Sequence, residues 1–492
     1  MKRFHFAIFF LFFVFNLQAQ DCSCRDNMQW VIRTIEQNDA GFPYYLQRTG
    51  NEAYEKMKND YLRRAGKITD KTACLQLINN YLSNIRHGHI GLMFKDEGLP
   101  WKGPGDPETI KKLYASSPHY DISRKAFEKR LQRTKNPYGP EGVWELNGME
   151  TGIIYDKDKG HYVGFVLSSG SPYWQPGHIV LELIPEKDST YRMVYYQRQR
   201  IKKVYPGVKI LDGKYILTGR VNMKKIRPAL PDNPEVEKYL TYISNPEPSL
   251  QEISDKTLLL RIPSFSPEIK PVLDSLYTRL YGLVKDKPYL IIDLRNNGGG
   301  LDVLYQALLP LLYTNPMRMH GVAFLSTPLN NARMEAFMRD TVWPAEVREW
   351  ARESLKKLKA HPGEFVQLEE APVTEFRLDT VYPSPVHIAV LADKGSGSSA
   401  EQFLLEAKQS KKVKIFGTPT AGSLDISNMN WTDSPCGDYV LFYAISRSSR
   451  IPGMPVDGIG VQPDFYLDDE IPLYRWIDYA REILEYTPAN HK

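Results

Sequence analysis

The sequence predicts a multidomain α/β protein with an N-terminal helical segment, a β-rich middle module and a C-terminal core of alternating strands and helices. Three observations lead there. Between residues 20 and 95, apolar side chains recur at three- and four-residue spacing. Residues 141–230 hold short β-prone runs separated by turn residues. From about residue 250 onward, strongly apolar runs alternate with helical patterns, which implies a mostly parallel sheet covered by helices.

The elements follow in order. Residues 1–19 read as a secretory signal peptide: Lys2 and Arg3 precede an apolar run, Phe6–Phe15, and Ala19 is a small residue suited to cleavage. That run is too short for a membrane span, and no later segment reads as one, so the expected protein is extracytoplasmic, periplasmic or secreted, with no transmembrane segment. Helices are expected over Met28–Gln37, Glu52–Arg64 and Lys71–Ile85. Residues 96–230 begin as loops with one helix near Arg124–Gln132 and continue as an antiparallel β-rich module. Residues 231–250, with Pro231, Pro234, Pro246 and Pro248, read as a linker. The core, 251–475, opens with a strand at Thr257–Ile262, a helix at Ile269–Leu283 and a strand at Leu290–Leu294. A helix at Asp302–Leu312 and a charged helix at Ala345–Ala360 come next. Then follow the strand Val386–Ala392, the helix Ala400–Gln409, the strand Val413–Phe416 and a β run at Tyr439–Ile445. Residues 476–492 form a tail.

Length and composition narrow the function. At about 150 residues per domain, 492 residues suggest two to four domains. The net charge of +5, which drops by two without Lys2 and Arg3, is too weak to argue for nucleic acid or an anionic membrane. In an oxidising compartment, Cys24–Cys74 or Cys22–Cys74 could pin the N-terminal segment, with four free thiols as the alternative. Cys436 is the fourth cysteine. No pair of C-x-x-C motifs suggests structural zinc, so neither metal nor other cofactor is expected.

Two stretches carry chemistry. Val386–Phe403 is an apolar strand, a Gly/Ser loop and a helix start, which puts the Ser398 hydroxyl beside the unpaired N–H groups of a helix N-terminus. Tyr289–Gly300 is a buried strand ending in three glycines, whose N–H groups are open to a ligand. Both lie at C-terminal strand ends, where ligands gather in such sheets. Ser398 is the candidate nucleophile, with Ser399 and either Gly298 or Gly299 supplying the oxyanion donors. The plainer alternative is a capped turn, with Glu401 completing a capping box. His89, in Asn84-Ile-Arg-His-Gly-His-Ile-Gly-Leu92, is the candidate base and His87 an accessory residue. Asp457, in Pro455-Val-Asp-Gly-Ile-Gly-Val-Gln-Pro-Asp464, is the candidate orienter of the imidazole, with Asp464 as its competitor.

These segments together resemble the S41 peptidases. The resemblance rests on Ile291-Ile-Asp-Leu-Arg-Asn-Asn-Gly-Gly-Gly300, Gly395-Ser-Gly-Ser-Ser-Ala-Glu401, Gly417-Thr-Pro-Thr-Ala-Gly422 and Asp457-Gly-Ile-Gly-Val-Gln-Pro-Asp464, in that order. It covers roughly residues 250–470 and the Gly88-His89 element, and it implies a crotonase-like ββα catalytic core. The family's nucleophile stands three residues before the motif glutamate, which is Ser398 here. Its processing proteases place a lysine base where this sequence has Ser423. Tricorn-like members use a histidine from an N-terminal element, matched by His89, and a late glutamate, where Asp457 is one methylene shorter. They also carry a serine where this chain has Gly88. The resemblance implies a bacterial serine peptidase acting on peptides or proteins. The alternative is an inactive relative that binds a peptide or an apolar ligand, for which 30 tyrosines, 20 phenylalanines and 8 tryptophans would suffice to line a cleft.

Overall fold

The computed structural model describes residues 22–99, 103–341 and 344–486. The expected signal peptide and the last residues of the tail lie outside them.

The core sheet has six strands in the order Ser249–Glu252, Thr257–Arg261, Tyr289–Asp293, His387–Ala392, Val413–Gly417 and Phe465–Tyr466. The first pair is antiparallel and the others are parallel. The central strands are apolar throughout because both faces are covered. Leu258, Leu260, Leu290, Ile292, Ile388 and Val390 face the helices Lys270–Leu283 and Ser399–Ala407 through Leu273, Leu280, Phe403 and Leu404. The alternate residues, Leu259, Ile291, Ala389 and Leu391, pack on Trp476, Ala480 and Leu484. Those three belong to a helix, Trp476–Tyr486, inside the expected tail. The expected helix over 302–312 is instead two 3-10 turns and a short α-helix, Leu309–Leu312, with Pro310 in its first turn.

A second, five-stranded sheet explains how the N-terminal helices reach the core. Its longest strand, Tyr439–Ser448, pairs antiparallel with Gly91–Phe94, directly after the His89 loop. Leu441 has Leu92 on one side and Thr432 on the other, so Ile426–Asp433 occupies the opposite edge. Helices Cys24–Asn38, Phe42–Thr49, Asn51–Ala65 and Lys71–Ile85 pack around this sheet through Met28, Ile35, Ile78, Tyr81, Leu441 and Tyr443. Phe42–Thr49 is an addition to the expected helices. Two disulfides fasten the assembly: Cys24–Cys74 joins two of the helices, and Cys22–Cys436 links segments 414 residues apart. Disulfides of this kind fit an oxidising compartment. No described helix is long and apolar enough to cross a membrane.

The middle module is a nine-stranded antiparallel sheet from Gly142 to Arg227, with Trp144, Val163, Leu181 and Met193 in its core. Its edge strands, Lys202–Val208 and Ile210–Leu211, adjoin in sequence, so the sheet curls until its ends meet. The proline-rich stretch expected as a linker folds into a helix, Pro234–Ser244. Pro234 begins it, Asn233 caps it, and Val236, Tyr239 and Ile243 are buried. Tyr242 of that helix donates to Asp293 Oδ2 (3.0 Å) at the end of a core strand.

Candidate active site

Ser398 stands at the N-terminus of the helix Ser399–Ala407 with φ +54° and ψ −120°. A non-glycine residue held there stores about 1–3 kcal/mol of strain, which surrounding contacts must impose. Here they are visible. Ser396 Oγ donates to Leu294 O (2.8 Å), and Gly397 N–H donates to Asn297 O (2.9 Å). Both acceptors lie in the segment that carries the glycines. The Glu401 carboxylate accepts from Ser398 N–H (3.1 Å), Gly422 N–H (2.7 Å), Ser423 N–H (2.9 Å) and Thr420 Oγ (2.5 Å). Burial pushes the Glu401 carboxyl upward in pKa, and those four donors pull it back.

The glycine loop lies directly on the serine. At Gly299, φ is +96°, and a Cβ would fall 2.7 Å from Ser398 Cβ and 2.8 Å from Ser399 N. Only glycine allows that approach. The two candidate oxyanion glycines differ. Gly299 N–H already donates to Asn297 Oδ1 (2.9 Å). Gly298 is exposed, a Cβ there would meet nothing within 4 Å, and its N–H has no acceptor among the described residues.

His89 also sits at positive φ, +52°, on a loop that Arg86 braces. The Arg86 guanidinium pairs with both oxygens of Asp39 (2.9 and 2.8 Å) and donates to the carbonyls of Gly88 (3.2 Å) and His89 (3.1 Å). The imidazole Nδ1 lies 2.7 Å from Ile426 O. A carbonyl only accepts, so Nδ1 carries the proton and Nε2 is left as the basic nitrogen. Burial lowers the His89 pKa below its ordinary 6.5, and the Arg86 charge lowers it further. The His89 and Ser398 loops converge on Ser423. A Cβ at Gly88 would fall 2.7 Å from Ser423 Cβ, and one at Gly397 would fall 3.0 Å from Ser423 Oγ.

Asp457 makes its bonds to backbone. Its carboxylate accepts from the N–H groups of Leu424 (2.6 Å), Asp425 (2.7 Å) and Ile426 (3.3 Å). Asp425 returns the contact by accepting from Asp457 N–H (2.9 Å) and Val456 N–H. Asp457 thus fixes the residue whose carbonyl receives His89, one step behind the imidazole. Burial and the neighbouring Asp425 charge push its carboxyl up to about 6. Asp464 is elsewhere: it accepts from Ile415 N–H (2.8 Å) at the sheet edge. His87 is exposed. Among the described residues, no group of three or more His, Cys, Asp or Glu is placed to hold a metal ion.

The Asp457 geometry makes a direct prediction. Asp457→Asn keeps an oxygen for two of the three N–H groups, so kcat is expected to stay within about tenfold of the parent. A carboxylate bonded to the imidazole would instead cost about ten-thousandfold on such a change. Asp457→Ala leaves three N–H groups without their acceptor, at about 1–3 kcal/mol each, and is expected to lower both the melting temperature and kcat. Equal, severe kcat losses in the two variants would contradict this geometry.

The contributions of Glu401 and Arg86 were not apparent as site chemistry in the sequence. Glu401 was visible as a helix-cap residue and as the motif glutamate that marks Ser398, but not as the acceptor that holds the loop, and Arg86 carried no signal beyond standing next to the His-Gly-His run.

Residues 256–467 match the model of peptidase family S41. No curated protein sequence matches the chain. The crystal structure of mature CPAF is similar over 94% of this chain and 97% of its own, with TM-score 0.51 and 12% identity. Mature CPAF complexed with lactacystin is similar over 94% and 98%, with TM-score 0.51 and 12% identity. A putative peptidase from Parabacteroides merdae covers 94% of this chain and 97% of its own, with TM-score 0.44 and 11% identity. The CPAF likeness extends a shared fold across the helical, β-rich and core parts alike. The family match does not favour the alternative of an inactive binding module. The chain carries a peptidase family S41 domain and is a serine-type peptidase.

Proposed function

We propose that this is an extracytoplasmic, periplasmic or secreted peptidase in which Ser398 attacks the scissile carbonyl and His89 is the base. The Ser398 hydroxyl gives its proton to His89 Nε2 as the tetrahedral adduct forms. The N–H groups of Gly298 and Ser399 receive the oxyanion, and His89 then returns the proton to the leaving amine. Ile426 O holds the imidazole tautomer and takes up part of the imidazolium's charge, with Asp457 fixing that carbonyl. The core would then be of the crotonase-like ββα kind. The observation that carries the reading is the His89 Nδ1 bond to Ile426 O, which leaves Nε2 basic on a loop that meets the serine loop at Ser423. No step requires a metal or an organic cofactor.

A fluorophosphonate probe tests it. Wild-type protein is expected to be labelled at Ser398, while Ser398→Ala takes up no label and loses peptide cleavage. Full cleavage by a folded Ser398→Ala variant would end this reading.

A further inference from the structure

Behind the nucleophile helix runs a buried polar chain that the reaction steps above do not use. Arg450 follows the strand Tyr439–Ser448, and its guanidinium is buried. Arg450 Nε donates to Asp425 Oδ1 (3.2 Å), and Nη1 donates to Gln402 Oε1 (3.0 Å). Gln402, on the nucleophile helix, donates through Nε2 to Glu406 Oε1 (2.8 Å) one turn later. The same Glu406 oxygen accepts from Tyr305 Oη (3.2 Å). Glu406 is only 1% exposed, and its other oxygen is buried with no partner among the described residues.

The ends of this chain are informative. Asp425 exchanges bonds with Asp457, and together they fix Ile426, the acceptor of His89. Tyr305 lies just past the glycine loop and packs on Phe265 (ring centroids 5.7 Å apart). Phe265 in turn grips that loop, accepting from Leu301 N–H (2.8 Å) and donating to Gly299 O (3.0 Å). One continuous set of contacts, made by side chains through its middle and by backbone groups at both ends, therefore joins the segments that carry the base, the nucleophile and the oxyanion glycines. Buried charges are costly to desolvate, and well-packed apolar residues in their place are often as stable or more so, so stability alone does not explain this set. What the hydrogen-bonded links from Arg450 through Gln402 and Glu406 to Tyr305 supply is fixed geometry.

We infer that Arg450, Gln402, Glu406 and Tyr305 are positioning residues that set the spacing of Ser398, His89 and the oxyanion loop. The inference rests on the roles proposed above for those groups. Gln402→Met, nearly isosteric and unable to bridge, breaks the chain at its centre. Tyr305→Phe removes one hydroxyl at its end. Both are assayed well below their own melting midpoints for kcat, KM and the rate of fluorophosphonate labelling. A misplacement of about 1 Å costs on the order of a hundredfold. Gln402→Met is therefore expected to lower kcat and labelling rate together by about 10- to 100-fold, and Tyr305→Phe by a smaller factor, with KM within about twofold. A folded variant with parental kcat and labelling rate, or a loss confined to KM or to the melting temperature, overturns the inference. If Gln402→Met does not fold, Tyr305→Phe decides alone. Wild-type protein that takes no label at Ser398 would instead refute the nucleophile assignment, and the inference would fall with it.

Discussion

Replacing His89 by asparagine is expected to lower kcat by about ten-thousand- to a million-fold, the range seen when the base of a serine triad is lost. Asparagine is a cleaner choice than alanine. His89 stands at φ +52°, a region asparagine visits readily and alanine does not, so the loop keeps its shape while the base is removed. Melting temperature should change little and kcat greatly, which circular dichroism and a peptide-cleavage assay separate. In wild type the active form is the neutral imidazole, so kcat/KM falls as pH drops through the folded-state pKa. That pKa is held below 6.5 by burial and by Arg86, so the acid limb should inflect below 6.5. The stability sign agrees. Between the folded-state pKa and 6.5 the unfolded chain binds a proton that the folded protein refuses, so this contribution grows as pH rises through that window. Asp457 acts oppositely. Its carboxyl is raised from 3.8 to about 6, so the folded protein holds the extra proton and its contribution declines as pH climbs across that interval. An acid limb well above 6.5 would contradict the burial of His89.

Much of this site is local in sequence, and that part was legible. A strand, a Gly/Ser loop and a helix start must present Ser398 at the helix N-terminus, because chain geometry allows little else. Three glycines after a buried strand marked N–H groups open to a ligand, and Gly298 is exposed with its N–H lacking an acceptor among the described residues; the close approach of Gly299 to Ser398 was not foreseen. The alternating strands and helices also gave a parallel sheet, since both faces of each central strand are apolar. What stayed hidden depends on partners distant in the chain. Asp457 looked like an orienting carboxylate because its residue type suits that role. Which groups it meets is decided by the 424–426 loop, some thirty residues earlier, and no pattern in the sequence marks those N–H groups.

The 231–248 stretch and the partner of Cys22 also lay beyond local reading, whereas Cys24–Cys74 is one of the pairings the sequence offers. Prolines at 231–248 suggested a linker, yet Pro234 is a helix starter and the helix behind it buries Tyr239 against the core. Proline restricts the backbone without saying whether it begins a helix or prevents one. Cys22 pairs with Cys436 across 414 residues because the strand Gly91–Phe94 inserts beside Tyr439–Ser448 and brings both ends together. A strand of only four residues, Gly91–Phe94, gave no periodic signal strong enough to reveal that pairing.

The second large effect is expected at Glu401, which the sequence offered as a helix cap and as the motif glutamate after Ser398, with no sign of its four donors. Its carboxylate serves the nucleophile's own N–H and two N–H groups of the 420–423 loop, together with the Thr420 hydroxyl, so it ties Ser398 to the segment that Ser423 shares with His89. Glu401→Ala removes the acceptor from all four. The Thr420 hydroxyl can rotate to another partner, but the three N–H groups are fixed in place. At about 1–3 kcal/mol for each of the three buried donors left unpaired, the loss is roughly 3–9 kcal/mol. That is a large share of a total stability of about 5–15 kcal/mol, and it should lower the melting temperature by several degrees. Glu401→Gln separates support from catalysis. Its single oxygen satisfies two of the donors, while its amide group turns hydrogens toward the rest. Melting should therefore drop less than in the alanine variant, while kcat falls by about a hundredfold because the Ser398 loop relaxes from its strained φ. Parental kcat in Glu401→Gln would show that the strain at Ser398 is held by the glycine loop alone. The Gly299 approach, and not the carboxylate, would then be the element that sets the nucleophile.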